Sequence, residues 1–197
     1  MGCNDNERAE KILGNCTMML IICSIILSVF FMITKDKILI MFGASENTLP
    51  YASSYITIYL IGTMFLQLTL GLNAFITNQG FTKTSMITIW IGAVLNIILD
   101  PIFIFVFHLG VQGAALATII SQGISCIWVL KFLTGNKTHI KIRIKNLRLS
   151  KQIVFLVISL GISPFVMQST DCFIQLVFNN GMLKYGNDSY VALMSIL

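Results

Sequence analysis

The sequence predicts an all-α membrane protein, a polytopic helical bundle, and three observations carry that expectation. Of 197 residues, 56% are hydrophobic and only 11% charged, with a mean hydropathy of +0.85, more apolar than an ordinary soluble domain. Five apolar stretches are long enough to cross a bilayer, which takes about 20 residues because a helix rises about 1.5 Å per residue through about 30 Å of hydrocarbon. The third is the charge distribution: seven of the 13 basic residues lie between Lys131 and Lys151, with no acid among them.

The spans are expected near residues 12–33, 51–77, 84–107, 110–133 and 152–178. The first is bracketed by Arg8 and Lys11 before it and by Lys35 and Lys37 after it. Only the short connection Phe107–Gly110 separates the third from the fourth, so these two should form an antiparallel hairpin. The fourth carries Gly113, Ala117, Ser121 and Ser125 at every fourth position, a small-residue stripe that lets another backbone approach closely in lipid. Beside it runs a second small or polar stripe, Ala114, Thr118 and Gln122. The fifth contains Pro164 and a polar patch of Gln168, Ser169, Thr170, Asp171 and Gln175. A further apolar run from Tyr190 to Leu197 is too short to span, so the chain is expected to be a fragment. No signal peptide is evident in "MGCNDNERAEKILGN", and the "MGC" start lacks the Ser or Thr at position 6 that myristoylation favours.

The segment "KFLTGNKTHIKIRIKNLRLSK" (131–151) is read as a cytoplasmic loop obeying the positive-inside rule, in preference to a nucleic-acid or lipid-binding patch. That placement puts Arg8, Lys11 and Lys83 inside as well and leaves Lys35, Lys37 and Lys184 outside. Cys3, Cys16, Cys23, Cys126 and Cys172 are scattered without a CxxC pair, so they read as small buried hydrophobes with neither a disulfide framework nor a metal site. His108 and His139 are unpaired, and the N-x-S/T sequons at Asn15, Asn136 and Asn187 read as chance. Neither Asp100 nor Asp171 follows Gly-x-Gly, which removes the GxGD setting of an intramembrane aspartyl protease, and no phosphate loop or zinc signature occurs.

The sharpest feature is "NIILDPIFIF" (96–105). Gly92, Asn96 and Asp100 fall at i, i+4 and i+8, one polar stripe on an otherwise lipid-compatible helix. Asp100 lies about 10 Å in from the end of its span by helical rise, where an acid costs about 2.5–3.5 kcal/mol on insertion scales. A carboxyl at that depth is comfortable either protonated or ionised beside a cation, and a group that can hold either state is suited to coupling. Pro101 has no N–H to donate to the Ile97 carbonyl and should kink the helix one turn below the carboxylate, freeing an oxygen suited to a hard cation such as Na⁺. The competing reading of Asp100 is a structural hydrogen bond to a neighbouring helix. Asp171, with Gln168, Gln175 and Gln122, is a candidate for lining an aqueous cavity, or equally a tolerated interior polar group.

Residues 71–122, with the "NQG" turn, the "GAVLNIILDPIFIF" helix and the "GVQGAALATIISQ" helix, closely resemble the multidrug and toxic compound extrusion (MATE) family of cation-coupled efflux transporters. Weaker echoes are "ERAEKILGN" (7–15), "MFGASENTLPYASSYI" (41–56), "SLGISPFVMQ" (159–168) and "FNNGMLKYG" (178–186). The resemblance implies a two-lobe fold of six plus six helices, of which the five spans would be the third to the seventh. Residues 1–133 would then be a partial N-terminal lobe, 134–151 the inter-lobe linker, and 152–197 the start of the C-terminal lobe. It further implies a secondary active transporter rather than an enzyme, needing no cofactor. Na⁺ or H⁺ would be the coupling ion, with Asp100, Asn96 and Thr118 as part of a cation site that also uses an acid on a first helix this chain lacks. The implied partners are the lipid bilayer, a small-molecule drug, mainly a lipophilic cation, and the missing helices of the same transporter, not nucleic acid. The implied location is the cytoplasmic membrane. Two alternatives stay open: a flippase of lipid-linked precursors in the same superfamily, and a non-functional remnant.

Overall fold

The computed structural model describes residues 6–135 and 138–185, without the side chains of 144, 179, 180 and 182–185. Five helices follow one another: α1 (Asn6–Met41), α2 (Leu49–Asn78), α3 (Thr82–Pro101), α4 (Gly110–Thr134) and α5 (Lys151–Tyr185). A π-helical turn, Ile102–Val106, prolongs α3, and all five segments are long and apolar enough to cross a membrane. The short apolar run from Tyr190 lies outside the described residues, as do Cys3, Lys137 and the sequons at Asn136 and Asn187.

Four of the five expected spans lie inside the observed helices, which overrun them; the third, expected to run to 107, reaches one residue past the π-turn that ends at Val106. α1 has 36 residues rather than the expected 22 or so, because nothing in "NERAEKILGN" or "TKDKILIM" breaks a helix. Its end comes at Gly43, whose φ of 98° turns the chain. α2 begins with Pro50 in its first turn, where a missing N–H is harmless, and Gly80 at φ 88° closes its turn into α3.

α2 is the hub, packing on α1, α3 and α4, while α3 and α4 form the expected antiparallel hairpin. The buried apolar core sits at the end of the bundle opposite that hairpin tip. It joins Leu13 of α1, Leu68, Leu72 and Ile76 of α2, Cys126, Val129 and Leu133 of α4, and Ile140 beyond α4. Among the described elements α5 touches α1 alone, and Phe165 and Phe173 on it are about 70% exposed (71% and 70%).

The basic segment after α4 is more ordered than a solvated loop. Residues 138–150 lie as a strap across the ends of α1, α2 and α4, with a single 3₁₀ turn, Ile144–Asn146. Ile140 is buried and Ile142 packs on the same core. Three buried polar side chains hold the strap by its backbone: Gln79 Oε1 accepts from Ile140 N at 3.1 Å, Glu10 Oε1 from Lys141 N at 3.4 Å, and Asn15 Oδ1 from Ser150 N at 2.6 Å. Glu10 Oε2 also pairs with Arg143 Nε at 2.9 Å. Gly14 sits directly under the carbonyl of Asn146, too close for any Cβ. His139 stacks on Phe81 with ring centroids 5.7 Å apart.

Candidate functional site: the polar seam between α3 and α4

The two stripes read from the sequence meet. Gly113, Ala117, Ser121 and Ser125 are all buried, and the backbones close up where the side chains are smallest. A Cβ on Gly113 would stand 2.8 Å from the carbonyl of Phe103, and one on Gly92 would stand 2.9 Å from Ser125 Oγ. Ser125 Oγ donates to the Thr88 carbonyl at 3.3 Å, so the seam is tied by a hydrogen bond between helices as well as by contact.

In the middle of that seam lie the residues singled out for coupling. Asn96 Nδ2 donates to Asp100 Oδ1 at 3.3 Å along α3 and to Thr118 Oγ1 at 3.3 Å across to α4. Thr118 Oγ1 donates in turn to the Ala114 carbonyl one turn back, at 2.9 Å. All three side chains are half-buried. The i, i+4 spacing on α3 supplies the first contact, and the tight hairpin brings Thr118 to the second. Asp100 and Thr118 both present oxygen, and the Asn96 amide, whose O and N differ only by a rotation of its terminal group, can present a third. This set can hold a proton on the carboxylate or a small hard cation among the oxygens.

The helix around this cluster departs from the expectation in one respect. Pro101 has no N–H to give the Ile97 carbonyl, as expected; the irregularity that the sequence did not announce lies beyond the proline. The chain stays helical through the proline and then widens to i→i−5 bonds, Phe107 N donating to the Ile102 carbonyl at 3.0 Å. A π-turn absorbs the extra length that the missing N–H would otherwise force into a break. After the turn the chain reverses through His108, a non-glycine residue at φ 53°, and Gly110 at φ 54°.

The remaining candidates are not gathered with these. Gln122 is half-buried on α4, one turn past Thr118. Gln168, Asp171 and Gln175 are exposed on α5, apart from the α3–α4 seam. Sequence reasoning passed over Glu10 and Gln79 and took Asn15 only as a chance sequon, although all three stand inside the quoted "ERAEKILGN" and "NQG" segments. Their signal was polar side chains at the very ends of spans, and their partners, on a strap up to 135 residues away in sequence, could not be read.

A MatE family model matches residues 1–102. The multidrug export protein MepA of Staphylococcus aureus (strain NCTC 8325 / PS 47) is 33% identical over 153 residues, covering 78% of this chain and 34% of its own length. MepA of Staphylococcus haemolyticus (strain JCSC1435) is 29% identical over 187 residues, 95% of this chain and 41% of its own. Thus the chain spans about a third to two fifths of the length of these relatives. In three dimensions it matches the MATE multidrug transporter DinF-BH, solved as a complex, at a TM-score of 0.81 and 26% identity, over 97% of this chain and 48% of that one. The family model, the relatives and the shared fold agree with one another: the chain belongs to the MATE family.

Proposed function

We propose that this chain forms part of a cation-coupled antiporter that exports drugs, mainly lipophilic cations, across the cytoplasmic membrane. Asp100, with Asn96 and Thr118, binds the coupling ion, Na⁺ or H⁺. The observation that carries the reading is the hydrogen-bonded set Asp100–Asn96–Thr118 at membrane depth on a lipid-spanning hairpin. An intramembrane acid is costly, and one kept in a polar cluster is more often functional than not. Two features of the comparisons support drug export: the relatives are named multidrug export proteins, and DinF-BH is named a multidrug transporter.

In this reading the strap end faces the cytoplasm, supported by ten of 13 basic residues lying at that end. Residues 1–133 belong to the N-terminal lobe, 134–151 link the lobes, and 152–197 begin the C-terminal lobe. Helices outside this sequence complete both. Ion entry from one side replaces the Asn96 amide hydrogens around Asp100 with a proton or Na⁺, and export of drug accompanies its release on the other side. One charge moved through 100 mV supplies about 2.3 kcal/mol, enough for roughly a 50-fold gradient of a neutral substrate.

The test is ethidium efflux from energised vesicles carrying the chain together with helices that complete both lobes. Wild type should export ethidium against a gradient, and Asp100→Asn should lose coupled export while still inserting. Efflux by D100N at the wild-type rate and with wild-type ion dependence would remove the coupling role.

A further inference from the structure

We propose that the strap is a binding surface for the headgroups of anionic phospholipids in the leaflet it adjoins. The excess of positive charge already has one explanation, the topology rule, but that rule asks only that the charges lie on one side. It does not require the segment to be fastened down. Here it is fastened: Gln79, Asn15 and Glu10, each buried, hold the backbone at Ile140, Ser150 and Lys141.

The sequence "IKIRIK" (140–145) alternates, and the structure uses that alternation. Ile140 and Ile142 turn into the core, while Arg143 and Lys145, next along the strap, are exposed. Lys145, Arg148 and Lys151 are exposed, as is Lys131 on the last turn of α4. None of these four has a carboxylate within 4 Å among the described residues. A strap seated on the ends of three membrane-spanning helices keeps these cations at headgroup depth, where a loop free in water would carry them away from the membrane. Anionic headgroups are the complementary partner at that depth, and each basic side chain near such a surface is worth about a fivefold gain in association.

The protein contains its own reporters. Its two tryptophans, Trp90 and Trp128, are 65% and 40% exposed in the strap-end halves of α3 and α4, where the lipid chains beneath bound headgroups would reach them. The purified chain is reconstituted in vesicles of phosphatidylcholine containing a rising fraction of phosphatidylglycerol with brominated chains, which quench tryptophan on contact. The same series with brominated phosphatidylcholine gives the reference.

Wild type should favour phosphatidylglycerol by about fivefold or more, with the preference shrinking towards one as salt rises from about 0.05 to 0.5 M. The variant K145Q/R148Q/K151Q should lose most of the preference, while K145R/R148K/K151R should retain it. Equal quenching of all variants by brominated phosphatidylcholine shows that they are inserted. A wild-type preference near one, or a preference that ignores both salt and the glutamine substitutions, overturns the proposal. So does an oligonucleotide that abolishes the preference at low lipid-to-protein charge ratio, which would mark a general polyanion surface. The salt series on wild type decides alone if the glutamine variant fails to insert. This surface does not depend on Asp100, so D100N should keep the lipid preference even where coupling fails.

Discussion

Replacing Asn15 by Leu should release one end of the strap without unfolding the bundle. Asn15 is 3% exposed. Its Oδ1 accepts from Ser150 N at 2.6 Å and its Nδ2 donates to the Lys11 carbonyl at 2.8 Å. The second bond matters little, because the Lys11 carbonyl also accepts the ordinary i→i+4 helical bond. The first is the expensive loss: a half-buried backbone N–H is left with no acceptor, which costs about 1–3 kcal/mol. Leu keeps the branched shape with bulkier methyl groups, so no cavity is left and the strap is pushed off its seat. Local opening of the strap should therefore rise by about 5- to 150-fold. Glu10→Gln makes an instructive contrast. It keeps an acceptor for Lys141 N and loses only the charge opposite Arg143, whose side chain is 63% exposed, so its effect should stay below about 1 kcal/mol. Native-state hydrogen exchange by mass spectrometry, on peptides covering 138–150 and separately on the α2–α4 core, reads both variants. Faster exchange in the strap with an unchanged core is the expected pattern for N15L. Unchanged strap exchange in N15L, or strap amides already unprotected in wild type, would refute the clamp.

Two substitutions probe the hairpin. Gly113→Ala places a Cβ about 2.8 Å from the backbone of Phe103; backbone cannot rotate away, so the π-turn must shift, and thermal unfolding in detergent should show a loss of about 1–3 kcal/mol. His108→Gly removes a non-glycine residue from φ 53° and should lie between neutral and about 1 kcal/mol stabilising, since relief of left-handed strain is partly offset by chain entropy. His108→Val at the same position should destabilise by about 1 kcal/mol or more in the same assay.

Much of the hairpin was legible because its information is periodic and local. Gly92, Asn96 and Asp100 share a face by counting alone, Gly113 to Ser125 repeat every four residues, and a connection as short as Phe107–Gly110 leaves only antiparallel packing. These facts together place Asn96 against Thr118. The π-turn was less legible: Pro101 announces that the hydrogen-bond ladder is disturbed, but whether the helix then kinks or widens depends on how closely α4 presses at Gly113. The strap was read as a loop because charge dominates its composition. Its fastening is by single polar atoms of Glu10, Asn15 and Gln79 to main-chain groups far along the sequence, and such contacts leave no periodic trace. α5 gave a readable apolar length but no face, since among the described elements only α1 lies against it.

The central claim is that Asp100, Asn96 and Thr118 form an ion-responsive cluster rather than a mere knot between helices. The direct measurement is hydrogen exchange across residues 88–126 of the purified chain in lipid nanodiscs, with Na⁺ against an impermeant organic cation at several pH values, for wild type and Asp100→Asn. The account predicts that protection around Asn96, Asp100 and Thr118 changes with Na⁺ or with pH in wild type, and that D100N abolishes the response while leaving the Gly92–Ser125 contact protected. Protection identical in every ionic condition, in wild type as in D100N, would contradict it and leave the seam a packing device.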